Sequence, residues 1–165
     1  MPVVRISRIV VIALLANIAL WITGCAESKD SGAEEGYFFT YQNTAISVQE
    51  DVARILDILG PPIHYFEAAS CAFGGLDKIY TYEHFEIDTY PCEDADYISA
   101  IIFKDDLVMT SEGLCIGDSK GRMIELYGED YEETVGMIVY QKGDMRLCFV
   151  IRDDMIISIE YRAII

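Results

Sequence analysis

Apolar and polar positions along the chain fall into three regimes. Residues 9–22 are apolar except for Asn17 and carry no charge. Residues 26–36 (AESKDSGAEEG) are small and polar. From Tyr37 onward the pattern alternates between a helical and a strand period. Ser47–Gly60 places Val48, Val52, Ile55, Leu56 and Leu59 at helical spacing. Ser47 and Glu50 form an S-x-x-E capping pattern, and Gly60 before Pro61-Pro62 ends the segment. Cys115–Gly128 repeats this spacing, with Ile116, Met123, Ile124 and Tyr127 as far before Gly128 as Val48, Ile55, Leu56 and Leu59 are before Gly60. It predicts a second helix capped by Asp118 or Ser119. Lys78–His84, Phe85–Tyr90 and Tyr97–Lys104 follow the first helix, and Met137–Gln141, Met145–Ile151 and Met155–Arg162 follow the second. All six are rich in Ile, Val, Tyr and Phe and read as strands, with turns at Gly143-Asp144 and Asp153-Asp154.

The chain therefore reads as duplicated. The spacing between halves is 68 residues at the helix ends, Gly60 to Gly128, and 58 at the last strands, Ile98 to Ile156. The difference places about ten extra residues in the first half, assigned to a loop over Pro62–Asp77. A unit of this size buries too little apolar surface alone, so two should share a core. The expectation is an α+β fold: two tandem helix-plus-three-strand antiparallel units forming one two-layer domain over 37–165, with repeat 1 near 44–106 and repeat 2 near 112–163.

Upstream, Met1–Arg8 carries two Arg and no acid before the apolar core of residues 9–22. That core is shorter than the ~20 residues of a permanent membrane span, and the order is that of a secretory signal peptide. A retained anchor helix is the rival reading. Ile22-Thr23-Gly24-Cys25 resembles a bacterial lipobox, an aliphatic residue and two small ones before Cys. The resemblance implies that residues 1–24 are removed and that Cys25 is lipidated, so that the chain is held in the membrane through acyl chains. A chance Cys after an ordinary signal peptide is the alternative. Residues 25–36 then form a flexible tether, its polar stretch reaching roughly 18 Å.

The 165 residues carry 12 Lys plus Arg against 28 Asp plus Glu, a net charge of −16. Loss of Arg5 and Arg8 with the leader takes it to −18. Nucleic acid is excluded as a partner, because phosphate binding needs clustered cations. At 52% hydrophobic residues the chain is not an acidic disordered segment. The acid serves solubility, with cationic partners or divalent ions as the alternative.

Ile116-Gly117-Asp118-Ser119, Ile124, Leu126, Tyr127 and Gly128 in the second half, with Ile46, Val52, Leu59, Gly60 and Pro61 in the first, carry a further likeness. This pattern of helix and meander resembles the small outer-membrane-assembly lipoprotein fold, and in tandem is similar to the beta-lactamase inhibitory protein fold. The whole chain also resembles acidic lipoproteins of anaerobic Gram-positive bacteria. The likeness implies protein contact across a sheet face; inhibition does not follow, since fold does not fix function.

Chemistry is sparse. Cys71, Cys92, Cys115 and Cys148 are candidates for disulfides in an exported chain, with pairing open. No Cys/His spacing suits zinc, and no motif asks for a cofactor. His64 and His84 are the two His, and no nucleophile signature surrounds Cys71. The acid clusters Glu93-Asp94-Asp96, Asp105-Asp106, Glu129-Asp130-Glu132-Glu133 and Asp153-Asp154 do not match a calcium loop. Alternation places Tyr80 and Tyr82 on one strand face, either covered by helices or exposed as a candidate interaction face. The sequence thus points to a non-enzymatic, lipid-anchored extracytoplasmic module that contacts an envelope protein or wall component. A small wall-acting enzyme or inhibitor and a ligand- or ion-binding lipoprotein are the alternatives.

Overall fold

The computed structural model describes residues 36–165. The leader, Ile22-Thr23-Gly24-Cys25 and the tether up to residue 35 lie outside the described residues. A hairpin comes first, β1 (Phe39–Tyr41) and β2 (Thr44–Ile46), turned at Gln42 and Asn43 with positive φ. Helix α1 (Val52–Leu59) leads into β3 (His64–Ala69), β4 (Leu76–Thr81), β5 (Phe85–Cys92) and β6 (Ala95–Phe103). Helix α2 (Lys120–Tyr127) leads into β7 (Glu132–Thr134), β8 (Met137–Lys142), β9 (Met145–Arg152) and β10 (Met155–Ala163). β3 to β10 form one antiparallel sheet in the order β3-β4-β5-β6-β10-β9-β8-β7. β6 and β10 meet at its centre, with Ile101 opposite Tyr161.

This corrects the α+β expectation of two helix-plus-three-strand units. The described residues are mostly β, about 49% strand and 12% helix, in an eight-stranded and a two-stranded sheet. Each helix is followed by four strands, and the added ones are β3 and β7. Both are edge strands, exposed at every position. A strand with neither face buried has no need to alternate, so periodicity does not reveal it. The extra residues of the first half lengthen this first hairpin: β3 runs six residues where β7 runs three. The β1–β2 hairpin is likewise too short to show a period.

The helices are also shorter than their sequence spacing suggests. α1 is capped by Asp51, whose carboxylate accepts from the Ala53 N–H at 2.9 Å. Ser47 instead donates to the Tyr37 carbonyl at 3.0 Å. Helix cannot begin at Ser47 because the backbone there is committed to the sheet: Gln49 N–H donates to Ile98 O at 2.7 Å and Ile98 N–H to Glu50 O at 2.9 Å. The second half repeats the clip, Gly117 N–H to Ile156 O and Ile156 N–H to Asp118 O, both 2.9 Å, ahead of the Ser119 cap. Each helix ends on a glycine with positive φ, Gly60 at 73° and Gly128 at 85°. Each glycine carbonyl accepts a tyrosine hydroxyl, Tyr82 at 3.0 Å and Tyr140 at 2.7 Å. The duplication is thus built into how each helix is entered and left.

Cross-strand partners define the two faces of the sheet. Tyr80, Ile87, Ile101, Tyr161, Leu147 and Tyr140 form one row and are buried. They share the core with Val52 and Ile55 of α1, Met123 of α2 and Phe39 of the hairpin. The adjacent row, Phe66, Ile79, Asp88, Ala100, Arg162, Arg146 and Gln141, belongs to the opposite face. No helix among the described residues is long and apolar enough to cross a membrane.

Candidate functional site

Two of the hollows among the described residues lie on the face of the sheet turned away from the core. One, about 670 Å³, lies over β8, β9 and β10, where Val139, Arg146, Cys148, Glu160 and Arg162 line it. Arg162 pairs with Glu160 at 2.6 Å, and Cys148 is buried beneath them. Burial, with Glu160 nearby, pushes the Cys148 thiol up.

The other hollow, about 300 Å³, lies over β4 and β5. The β3–β4 loop bends onto the sheet there: the Ser70 hydroxyl accepts from the Phe73 N–H at 3.2 Å, and the Phe73 ring lies 5.3 Å from that of Tyr90. Gly75 permits the close approach, since its φ is 128° and a Cβ there would lie 2.9 Å from the Pro91 Cβ. Ile79, Asp88, Tyr90, Ser99 and Ile165 complete the lining. Within it the Asp88 Oδ1 is buried and has no hydrogen-bond partner among the described residues.

Burial raises the Asp88 carboxyl to about 6, reinforced by Glu86 and Glu160 and opposed by Arg162. Asp77 and Lys78 also border the hollow, and the Lys78 ammonium is held by Asp96 at 2.5 Å. A raised carboxyl binds its proton more tightly folded than unfolded. The fold is therefore free of this penalty below about pH 4 and loses stability as pH rises through 6. Discounted for the half-open position, the ionised form costs about 1–2 kcal/mol. Asp88→Asn should stabilise the domain by that amount at pH 7.5 and leave it unchanged at pH 4, as read by urea unfolding. An equal effect at both pH values would exclude ionisation as the cause.

The candidate residues read from the sequence lie elsewhere. Tyr80 and Tyr82 are 8% and 7% exposed, so they do not form an exposed interaction face. Tyr80 faces the core, and Tyr82 pins the end of α1. Cys71, Cys92, Cys115 and Cys148 are free thiols; the first two are exposed, Cys115 is half-buried and donates to Asp118 at 3.4 Å, and Cys148 is buried. His64 is exposed on β3. His84 meets Asp105 at 2.8 Å, which holds that carboxyl below its usual range, and no hydroxyl or thiol hydrogen-bonds the ring among the described residues. The described residues contain no metal-holding group of three or more His, Cys, Asp or Glu. Much of the acid sits in turns, with Glu93, Asp153 and Asp154 at positive φ, a conformation Asp tolerates. Cys25 with Ile22, Thr23 and Gly24 lies outside the described residues.

No protein-family model, curated protein or solved structure matches this chain. The functional reading therefore rests on its own residues. Asp88 escaped the sequence reading because it belongs to no acid cluster. The signal was its place: an acid in mid-strand, in Phe85–Cys92 (FEIDTYPC), far from the turns that usually hold Asp.

Proposed function

We propose that this chain is a lipid-anchored extracytoplasmic interaction module that receives an extended segment of an envelope protein along β3. The supporting observation is the contrast between the two sheet edges. β7 is blunt, with three residues of which two are Glu. β3 is twice as long, holds neither Lys nor Pro, and exposes Tyr65 at 50% and Phe66 at 60%, with Ile63 at 60% just before it. Edges are normally disarmed by shortness, charge or proline, because their unpaired backbone groups pair with any passing strand. An aromatic edge left open beside a disarmed one is suited to strand addition, where main-chain bonds give affinity and side-chain contacts give selectivity. The apolar leader and the Ile22-Thr23-Gly24-Cys25 pattern support the lipid anchor.

The test is photo-crosslinking in native membranes from a reactive residue placed at 66 or, as control, at 134. One envelope protein captured through an extended segment at 66 and not at 134, and lost in a Tyr65→Lys background, is the expected result. Self-crosslinking alone would replace the partner with a second copy. Equal capture at both positions, or none at 66, would overturn the reading.

A further inference from the structure

The hollow at Asp88 is separate from the β3 edge and has its own chemistry. One carboxylate oxygen is buried in it without a partner among the described residues. A buried acceptor left unpaired is costly, and a donor arriving from outside recovers that cost. The donor should be cationic. Glu86 and Glu160 surround Asp88 with like charge, and Asp77 borders the same hollow. The two nearby cations are already engaged, Arg162 with Glu160 at 2.6 Å and Lys78 with Asp96 at 2.5 Å.

Geometry narrows the cation. A compact ammonium fits so small a hollow beside the Asp88 carboxylate, where the wider planar fork of a guanidinium needs more room. A divalent metal would need several oxygens converging on it, and no such group exists among the described residues. The remaining walls are apolar or aromatic: Ile79, Phe73, Tyr90 and Ile165. Phe73 and Tyr90 stand together as two ring faces, which pack a hydrocarbon stem and attract a cation. A volume of about 300 Å³ is at the small end for a ligand site and holds a stem of a few carbons.

We propose that this hollow binds a primary ammonium group carried on a short apolar stem. The proton donor is the ligand N–H, the acceptor is the Asp88 carboxylate, and the stem lies against Phe73, Tyr90 and Ile79. The source is either a free amine or a lysine side chain of a polypeptide, and both present the same chemistry.

The test uses the full chain in detergent micelles, followed by amide NMR at pH 7.5, with n-butylamine, n-butanol and the tripeptide Ala-Lys-Ala as probes. n-Butylamine should give saturable shifts at Ile79, Asp88 and Tyr90. The neutral n-butanol, and n-butylamine with the Asp88→Asn chain, should bind roughly tenfold more weakly or worse, the loss of one charge-assisted hydrogen bond. Glu125→Gln, exposed on α2 and outside the lining, should change affinity by less than about twofold. Tighter binding of the tripeptide than of n-butylamine assigns the stem to a polypeptide, and the reverse assigns it to a free amine. Shifts that survive Asp88→Asn unchanged, or none with either amine, would overturn the proposal. Since Asp88→Asn is expected to be at least as stable as the parent, loss of binding cannot be put down to unfolding. Tyr65→Lys, on the other face of β3, should not move these shifts, so the edge reading and this one fail independently.

Discussion

Replacing Phe39 by Ala is expected to lower the unfolding free energy of the domain by about 4 kcal/mol, the upper part of the range for a large buried ring. Phe39 is 0% exposed. Its ring meets Phe85 at 5.0 Å and Phe103 at 4.9 Å, both edge-on, and Tyr41 at 6.0 Å. It joins three structures at once: its own hairpin, β5 and the end of β6. The hairpin strands are only three residues each, so their pairing does little to hold them against the sheet. Its further ties are a bridge from Phe39 to Thr110 and a hydrogen bond from the Ser111 hydroxyl to Phe38 O at 2.7 Å. Truncation leaves a cavity lined by rings that cannot easily close over it. Phe38, 43% exposed, is the control, and Phe38→Ala should stay within about 0.5 kcal/mol. Denaturant unfolding of both variants decides the matter. A loss below 1 kcal/mol for Phe39→Ala would mean that the hairpin is dispensable to the core.

The second large effect is all-or-none. Cys25→Ser should move the protein from the detergent phase to the aqueous phase on phase partition and remove the acyl mass. Each buried methylene contributes ~0.8 kcal/mol, and two chains are needed for stable retention. No helix among the described residues is long and apolar enough to span a bilayer. The chain's charge also opposes docking on anionic lipid, being −18 once residues 1–24 are removed. Unchanged partition with the leader still attached would instead identify residues 9–22 as a retained anchor.

The open β3 edge and the Asp88 hollow differ in how they arise. β3 is exposed because nothing lies beyond it in the sheet order, a property of topology. The hollow exists because the β3–β4 loop bends back over the sheet, which Gly75 makes sterically feasible. Lengthening of the first hairpin relative to the second therefore produces both the open edge and the roof of the hollow. The second half, with a three-residue β7 and a short turn at Val135-Gly136, has neither.

Periodicity and turn chemistry in the sequence determined much of the local structure. The six strands with one buried face start and end within a few residues of where alternation places them. Both helix ends sit at their glycines, and the turns at Gly143-Asp144 and Asp153-Asp154 use the positive φ that Gly and Asp tolerate. The matched spacings before Gly60 and Gly128 are legible in the sequence too. Tertiary structure decided the rest, because those features depend on distant partners. β3 and β7 bury no face and leave no period. Helix α1 starts at Val52 because Ile98, nearly fifty residues on, claims the backbone of Gln49 and Glu50. Tyr80 and Tyr82 look equally fit for a core or a surface until a helix is laid over them. Asp88 is an ordinary strand acid until a loop and a second half of sheet take the water from around it. Local pattern reports which face a residue shows within its own element; only the packing of elements reports what that face meets.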